Sequence, residues 1–250
     1  MFLDSIDIRD DSFVTAIVAH DYRTSSVFRK YGIDYCCAGK LSLQAACEIR
    51  RLDIGLVKKE LIESVRKIEV SNSIDFKRWD IDFLADYIIN VHHSYLNNSF
   101  PEIGDTLERL VASHKSMVPH FEDLLECFST LRDDLLPHLD EEEKIIFPYI
   151  RQVAHAYENH EPYAALLVRT LRKPIENMIK HQHEQIAKHI HRLRELTNNY
   201  TPALKACITQ KVSFAKLKEL DNDLMQHIHL ESNILFPKAV AMENEMLALK

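Results

Sequence analysis

Glycine is scarce in this 250-residue chain, at 4 residues, beside 8 prolines and 1 tryptophan. Strand-and-turn proteins spend glycine at tight turns. Its scarcity, with 28% charged residues, therefore points to long solvated helices. Basic runs are also missing and the net charge is −7, so no nucleic-acid partner is expected. No apolar stretch approaches the roughly 20 residues that span a bilayer, so no membrane partner is expected. The start, Met1 to Asp7, lacks the basic-then-apolar order of a signal peptide. These absences predict a cytoplasmic protein. The 5 cysteines, Cys36, Cys37, Cys47, Cys127 and Cys207, are odd in number and scattered. That pattern disfavours a disulfide framework and leaves free thiols or ligands.

What is plentiful is histidine, at 14 residues. The chain is long enough for one or two domains. Residues 1–69 read as short helices. A turn is expected at Tyr31-Gly32-Ile33-Asp34, and Ser42 is a candidate cap for a helix through Leu43, Ala46 and Ile49. Val70-Ser71-Asn72-Ser73 breaks the periodicity and marks a boundary near residues 70–78. Four longer amphipathic segments follow, at about 80–99, 118–150, 174–197 and 212–240. An all-α chain is predicted, with a small helical domain over 1–72 and an antiparallel four-helix bundle over 78–250. Pro137, inside the second segment, should kink or restart its helix.

Two stretches offset by 89 residues match each other. Asp134 to Pro148 aligns with Asp223 to Pro237, and seven of fifteen positions are identical. Helix packing explains the apolar matches. It does not explain His138-x-x-x-Glu142 and His227-x-x-x-Glu231. At four-residue spacing each His and Glu share one helical face. Leu135 and Leu224 precede the histidines by three, and Ile145 and Ile234 follow the carboxylates by three, so that face is the buried one. A lone His-x-x-x-Glu is most often a solvated pair. Two copies in register on core faces reverse that reading. A carboxylate on a core face costs several kcal/mol, of order 3–5 if left unpaired, which asks for a shared cation.

Each copy has one more histidine a helix earlier: His93, 45 residues before His138, and His183, 44 before His227. His92 adjoins His93 and competes with it for the inward position. His114, between the first two segments, is a further candidate that would enrich one metal in nitrogen. A helix-end histidine is the competing reading for it. Zinc is disfavoured, since its structural sites favour thiolates and its catalytic sites three ligands. Seven N/O ligands suit two non-haem irons, with the carboxylates available to bridge.

These motifs resemble the hemerythrin-like domain of the Repair of Iron Centres family. So do Thr197-Asn198-Asn199-Tyr200-Thr201-Pro202 with Ala206-Cys207. Tyr31-Gly32-Ile33-Asp34-Tyr35-Cys36-Cys37-Ala38-Gly39, followed by Ser42-Leu43-x-x-Ala46-Cys47, resembles its ScdA-like N-terminal domain. The resemblance spans nearly the whole chain. It implies iron ligands at His93, His114, His138, His183 and His227, with Glu142 and Glu231 bridging two irons that an oxo or hydroxo group also joins. It further implies repair of iron–sulfur clusters damaged by nitric oxide or peroxide, through iron donation to damaged or apo iron–sulfur proteins. Gln182 stands where relatives often carry Glu, and Pro137 is a second departure. Reduction of nitric oxide at a diferrous pair and hemerythrin-like oxygen binding are the alternatives. The adjacent Cys36 and Cys37 cannot easily bridge each other and are candidates for an exposed thiol role. Homodimerisation is left open.

Overall fold

The computed structural model describes residues 8–35, 41–65, 74–114, 120–171 and 175–248, with the backbone alone over 175–180. Cys36 and Cys37 lie outside the described residues. The only β pairing among those residues is one bridge between Phe13 and Ser42, so the chain is all-α.

Four short helices come first: α1 (Val14–His20), α2 (Thr24–Lys30), α3 (Leu43–Arg50) and α4 (Ile54–Ser64). Ser42 caps α3, its hydroxyl oxygen accepting from the Ala45 N–H at 3.2 Å. Asp53 caps α4, accepting from Gly55 and Leu56. Gly32, at φ +65, takes the left-handed turn after α2 that a side chain would resist. Val14, Val18, Phe28, Leu43, Val57 and Leu61 form a small core, and Val212 from the bundle completes it. Tyr22 donates to Glu219 at 2.9 Å and Arg29 pairs with Asp105 at 2.8 Å, so these helices dock on the bundle.

The bundle has four rods. The first is α5 (Ile81–Tyr87), a π turn (Ile88–His93) and α6 (Ser94–His114). The second is α7 (His120–Glu141), a π turn (Glu142–Ile146) and α8 (Phe147–Glu158). A short α9 (Ala164–Leu171) packs on α8 and the end of the last rod. The third rod is α10 (Ile175–Leu196). The fourth is α11 (Ile208–Leu230), a π turn (Glu231–Leu235) and α12 (Phe236–Ala248). Neighbours run α6–α7–α10–α11 and back to α6, a closed square.

Three expectations change. The first segment runs on through Pro101 to His114 rather than ending near 99. The second does not restart at Pro137, which stands inside α7; its interruption comes at Glu142. The periodicity gave no sign of α9. Between α10 and α11, Asn198, Asn199 and Tyr200 all take positive φ, and Thr197 accepts from the Tyr200 N–H at 3.0 Å to hold the corner.

The bundle core is in two parts. One lies among α6, α7, α10 and α11 around Leu96, Phe100, Phe128, Leu135, Leu193 and Leu224. The other lies among α5, α8, α9 and α12 around Ile88, Phe147, Ile150, Leu235 and Phe236. Between them sits a polar layer. Phe128 is fully buried in the first part and its ring lies 5.6 Å from that of Phe100. Phe128→Ala should cost about 3–5 kcal/mol in denaturant unfolding. Metal content should not change, because the substitution lies almost three helical turns from His138.

Candidate metal centre

The polar layer is built by the π turns. Each copy of the repeated motif ends in Phe-Pro, and Pro148 and Pro237 stand just after a widened turn. A proline cannot donate to the carbonyl four residues back and its ring pushes that carbonyl away. The carbonyls concerned, of Lys144 and Asn233, lie inside the π turns, where the wider ring gives room. The extra residue also shifts the helix phase. Ile145 is exposed and Ile146 buried, against the expectation from three-residue spacing, whereas Ile234 at the matching position of the other copy is buried as that spacing expects. In the first rod, the π turn lets two adjacent histidines face inward, and His92 and His93 are both buried.

Six of the seven expected residues converge. His93, Glu142, His227 and Glu231 place ligand atoms within 4.8 Å of one another, and so do His138, Glu142, His183 and Glu231. The carboxylates divide their oxygens between the two groups. Glu142 Oε1 is 3.1 Å from His138 Nε2, and Oε2 is 3.5 Å from His93 Nε2. Glu231 Oε1 is 2.9 Å from His227 Nε2, and Oε2 is 3.3 Å from His183 Nε2. His93 and His227 face each other with Nε2 atoms 3.3 Å apart. The arrangement is two histidines per metal, with two carboxylates reaching both.

His114 is not part of it. It ends α6, 21 residues and so roughly 30 Å along the helix from His93. Its Nδ1 lies 3.0 Å from the Leu110 carbonyl, an ordinary helix-end contact. The stripe Ile103, Leu107 and Leu110, all buried, is the signal that α6 continues and carries His114 away. His93, rather than His92, points into the layer.

Both oxygens of Glu142 and Glu231, with Nε2 of His138 and His183, are buried and make no hydrogen bond of acceptable geometry. Unpartnered buried carboxylates are costly, and a cation between them removes the cost. Burial and the charge of Glu231 raise the Glu142 carboxyl above its usual range. Burial would also raise Glu231, but His227 and His183 outweigh it and hold that carboxyl well below the usual range. Burial and the neighbouring His227 push the His93 imidazole down to about 4. Burial opposes protonation of His227, yet Glu231 and Glu142 prevail and raise it to about 9. A ring held protonated by two carboxylates sits where a cation belongs.

The outer faces of the ligands are supported as metal-binding imidazoles require. Nδ1 lies 2.8 Å from Glu143 Oε1 in His93, 2.9 Å from Gln182 Oε1 in His138 and 2.9 Å from Ser232 Oγ in His183. Gln182 in turn donates to Glu141 at 3.2 Å. Sequence reasoning missed Glu143 and Ser232 in these roles, although each directly follows a bridging carboxylate. Two imidazoles and two carboxylate oxygens per metal, with no thiolate, fit a di-iron centre.

Replacing either bridging carboxylate, as in Glu142→Gln or Glu231→Gln, should drop iron from two per chain to one or none by metal analysis. His114→Ala should keep both. Binding needs bare Nε2 atoms, so metal uptake must displace the His227 proton. Apparent affinity should therefore rise with pH and level off near pH 9, by about tenfold per unit for that proton. Chelator competition across this range reads the slope, and a flat profile would contradict the protonated ring.

Comparison with known proteins agrees with this geometry. Residues 84–239 match the Hemerythrin family, described as a hemerythrin HHE cation binding domain. Residues 10–65 match ScdA_N, described as a domain of unknown function. Three relatives carry the name "Iron-sulfur cluster repair protein YtfE". That of Musicola paradisiaca is 31% identical over 88% of this chain and 92% of its own length. That of Edwardsiella ictaluri is 30% identical over 87% and 91%. That of Escherichia coli O81 is 32% identical over 88% and 93%.

Proposed function

The chain belongs to the family of hemerythrin-like iron–sulfur cluster repair proteins, and from that premise we propose that it repairs damaged clusters by donating iron. The observation that carries the donor reading is the ligand count. Each metal would have four protein donors, two of them oxygens of carboxylates shared with its neighbour. Reduction from the +3 to the +2 state removes about a third of each iron's Coulomb attraction to the two carboxylates, and only two imidazoles per metal remain beside them. Reduction therefore loosens the cargo. The imidazoles and carboxylates would hold iron in a dry layer, where it would supply Lewis acidity and redox capacity.

Partners follow from this role. The clients are iron–sulfur proteins whose clusters have been damaged or lost. No described helix is long and apolar enough to cross a membrane, and a cytoplasmic site of action fits the clients.

A second reading gains from the same count. Four protein donors per iron leave coordination positions for a small ligand, so reduction of nitric oxide at the diferrous pair is chemically open. Its signature is nitrous oxide formed over many turnovers, with electrons from an added donor.

The donor reading is tested with the diferrous protein carrying labelled iron, mixed anaerobically with an apo iron–sulfur protein, sulfide and a thiol reductant. Labelled iron should pass into the rebuilt cluster, with at least one iron lost per chain. Iron that stays on the bundle refutes donation.

A further inference from the structure

We propose that His92 is a relay ligand: it takes ferrous iron from the His93–His227 end of the pair and starts it on the way out of the bundle. This rests on the donor reading and names the route that reading needs.

His92 already has the surroundings of a metal ligand. Its Nδ1 lies 2.9 Å from Asp223 Oδ1. A carboxylate oxygen only accepts, so Nδ1 carries the proton, and in the neutral ring Nε2 keeps its lone pair. A carboxylate behind one imidazole nitrogen with a metal before the other is a recurring arrangement. Nε2 is buried with no hydrogen-bond partner among the described residues. Burying an acceptor unpaired is costly, and nothing in packing alone requires a histidine there. The ring lies parallel to that of the ligand His227, at 12° and 5.9 Å between centroids. It stacks on a ligand ring without belonging to either converging group.

The two halves of the bundle differ at this point. By the repeat, His92 and Gln182 are equivalent, each directly preceding an inward ligand. Gln182 supports the ligand His138, whereas His92 faces Asp223 and leaves His227 Nδ1 buried without an acceptor. Asp134, the equivalent of Asp223, holds the partly exposed His189 instead, at 2.9 Å. Outer partners are worth about 10–100-fold in metal affinity. Glu143 supports His93 but is partly solvated, so the His93–His227 end holds its iron through one unsupported ligand. That end is the labile one.

A path leads outward from it. Asp223 is partly exposed, with a second oxygen that has no partner. Glu219 lies one turn earlier on the same face of α11 and accepts from Tyr22 of the N-terminal helices. A cleft of about 270 Å³ opens there, lined by Tyr22, Tyr95 and Glu219 and by Arg23 and Lys216, the lysine being paired with Glu102 at 3.0 Å. In the relay the bond from iron to His227 Nε2 breaks and one to His92 Nε2 forms, with no proton or electron moved at His92.

The test follows iron release from the diferrous protein to an excess of a ferrous chelator, under anaerobic reductant. His92→Ala and Asp223→Asn should keep two irons per chain yet slow the faster phase of release about tenfold. His92→Gln copies the other half of the bundle and should slow release as much. Its metal-free melting temperature should match that of the native chain, which guards against a misfolded alanine variant. Unchanged release rates in the three variants overturn the proposal. So does loss of one iron from folded His92→Gln, which would make His92 a resident ligand. The chelator replaces any client, so failure here is distinct from failure of donation to an iron–sulfur protein.

Discussion

Two carboxylates at the centre of a helical bundle set the terms for the rest of this structure. Glu142 and Glu231 have no exposed surface, and each would cost several kcal/mol if left charged and uncompensated, of order 3–5 for a broken buried pair. Proteins escape that cost by protonation, by pairing or by binding a cation. Protonation is blocked for Glu231, which His227 and His183 hold in the charged form. Pairing with histidines alone leaves the carboxylate oxygens without proper hydrogen bonds. Two shared cations satisfy both carboxylates and four imidazoles together, and the helix arrangement follows from bringing these six groups to one depth.

That depth is fixed by the π turns. A regular α-helix with apolar residues on one stripe would have placed the core in one continuous column. Widening each motif-bearing helix at the carboxylate shifts its phase, so apolar residues resume on the inner face beyond the metals. The result is a polar layer between two apolar blocks. The Phe-Pro pair closing each copy fits this geometry: Phe147 and Phe236 fill the core beyond the layer, and the wide turn before each proline gives its ring room.

The histidine and carboxylate ladder was readable because it is written twice. Once His138-x-x-x-Glu142 reappeared at His227-x-x-x-Glu231 on matching faces, a shared cation was the economical physical reading. The four rods were legible from their apolar period. Other features were not. Ile145 sits three residues after Glu142 and reads as buried on an ideal helix, yet it is exposed, while Ile234 at the same place in the other copy is buried. His114 reads as a ligand only if the first rod ends early, and the buried Leu107 and Leu110 carry that rod on. The choice between His92 and His93 depends on a π turn that brings both inside, which no α-helical template contains. Pro137 reads as a break, yet it lies one turn ahead of the true interruption.

A duplicated frame would, by itself, hold two equivalent irons, and a donor gains from having them differ. The difference lies in the residues around the motif rather than within it. Asp134 and Asp223 are the same residue at the same register, but Asp134 holds the outer His189, whereas Asp223 holds His92, which stands where the other half has Gln182. The glutamine satisfies a ligand, and the histidine turns away to its aspartate. If one iron leaves through the weaker end, the His138–His183 end still neutralises part of the charge on both carboxylates. The apolar blocks above and below remain packed. Loss of cargo then need not unfold the carrier, because fold stability and metal release are assigned to different layers of the same four helices.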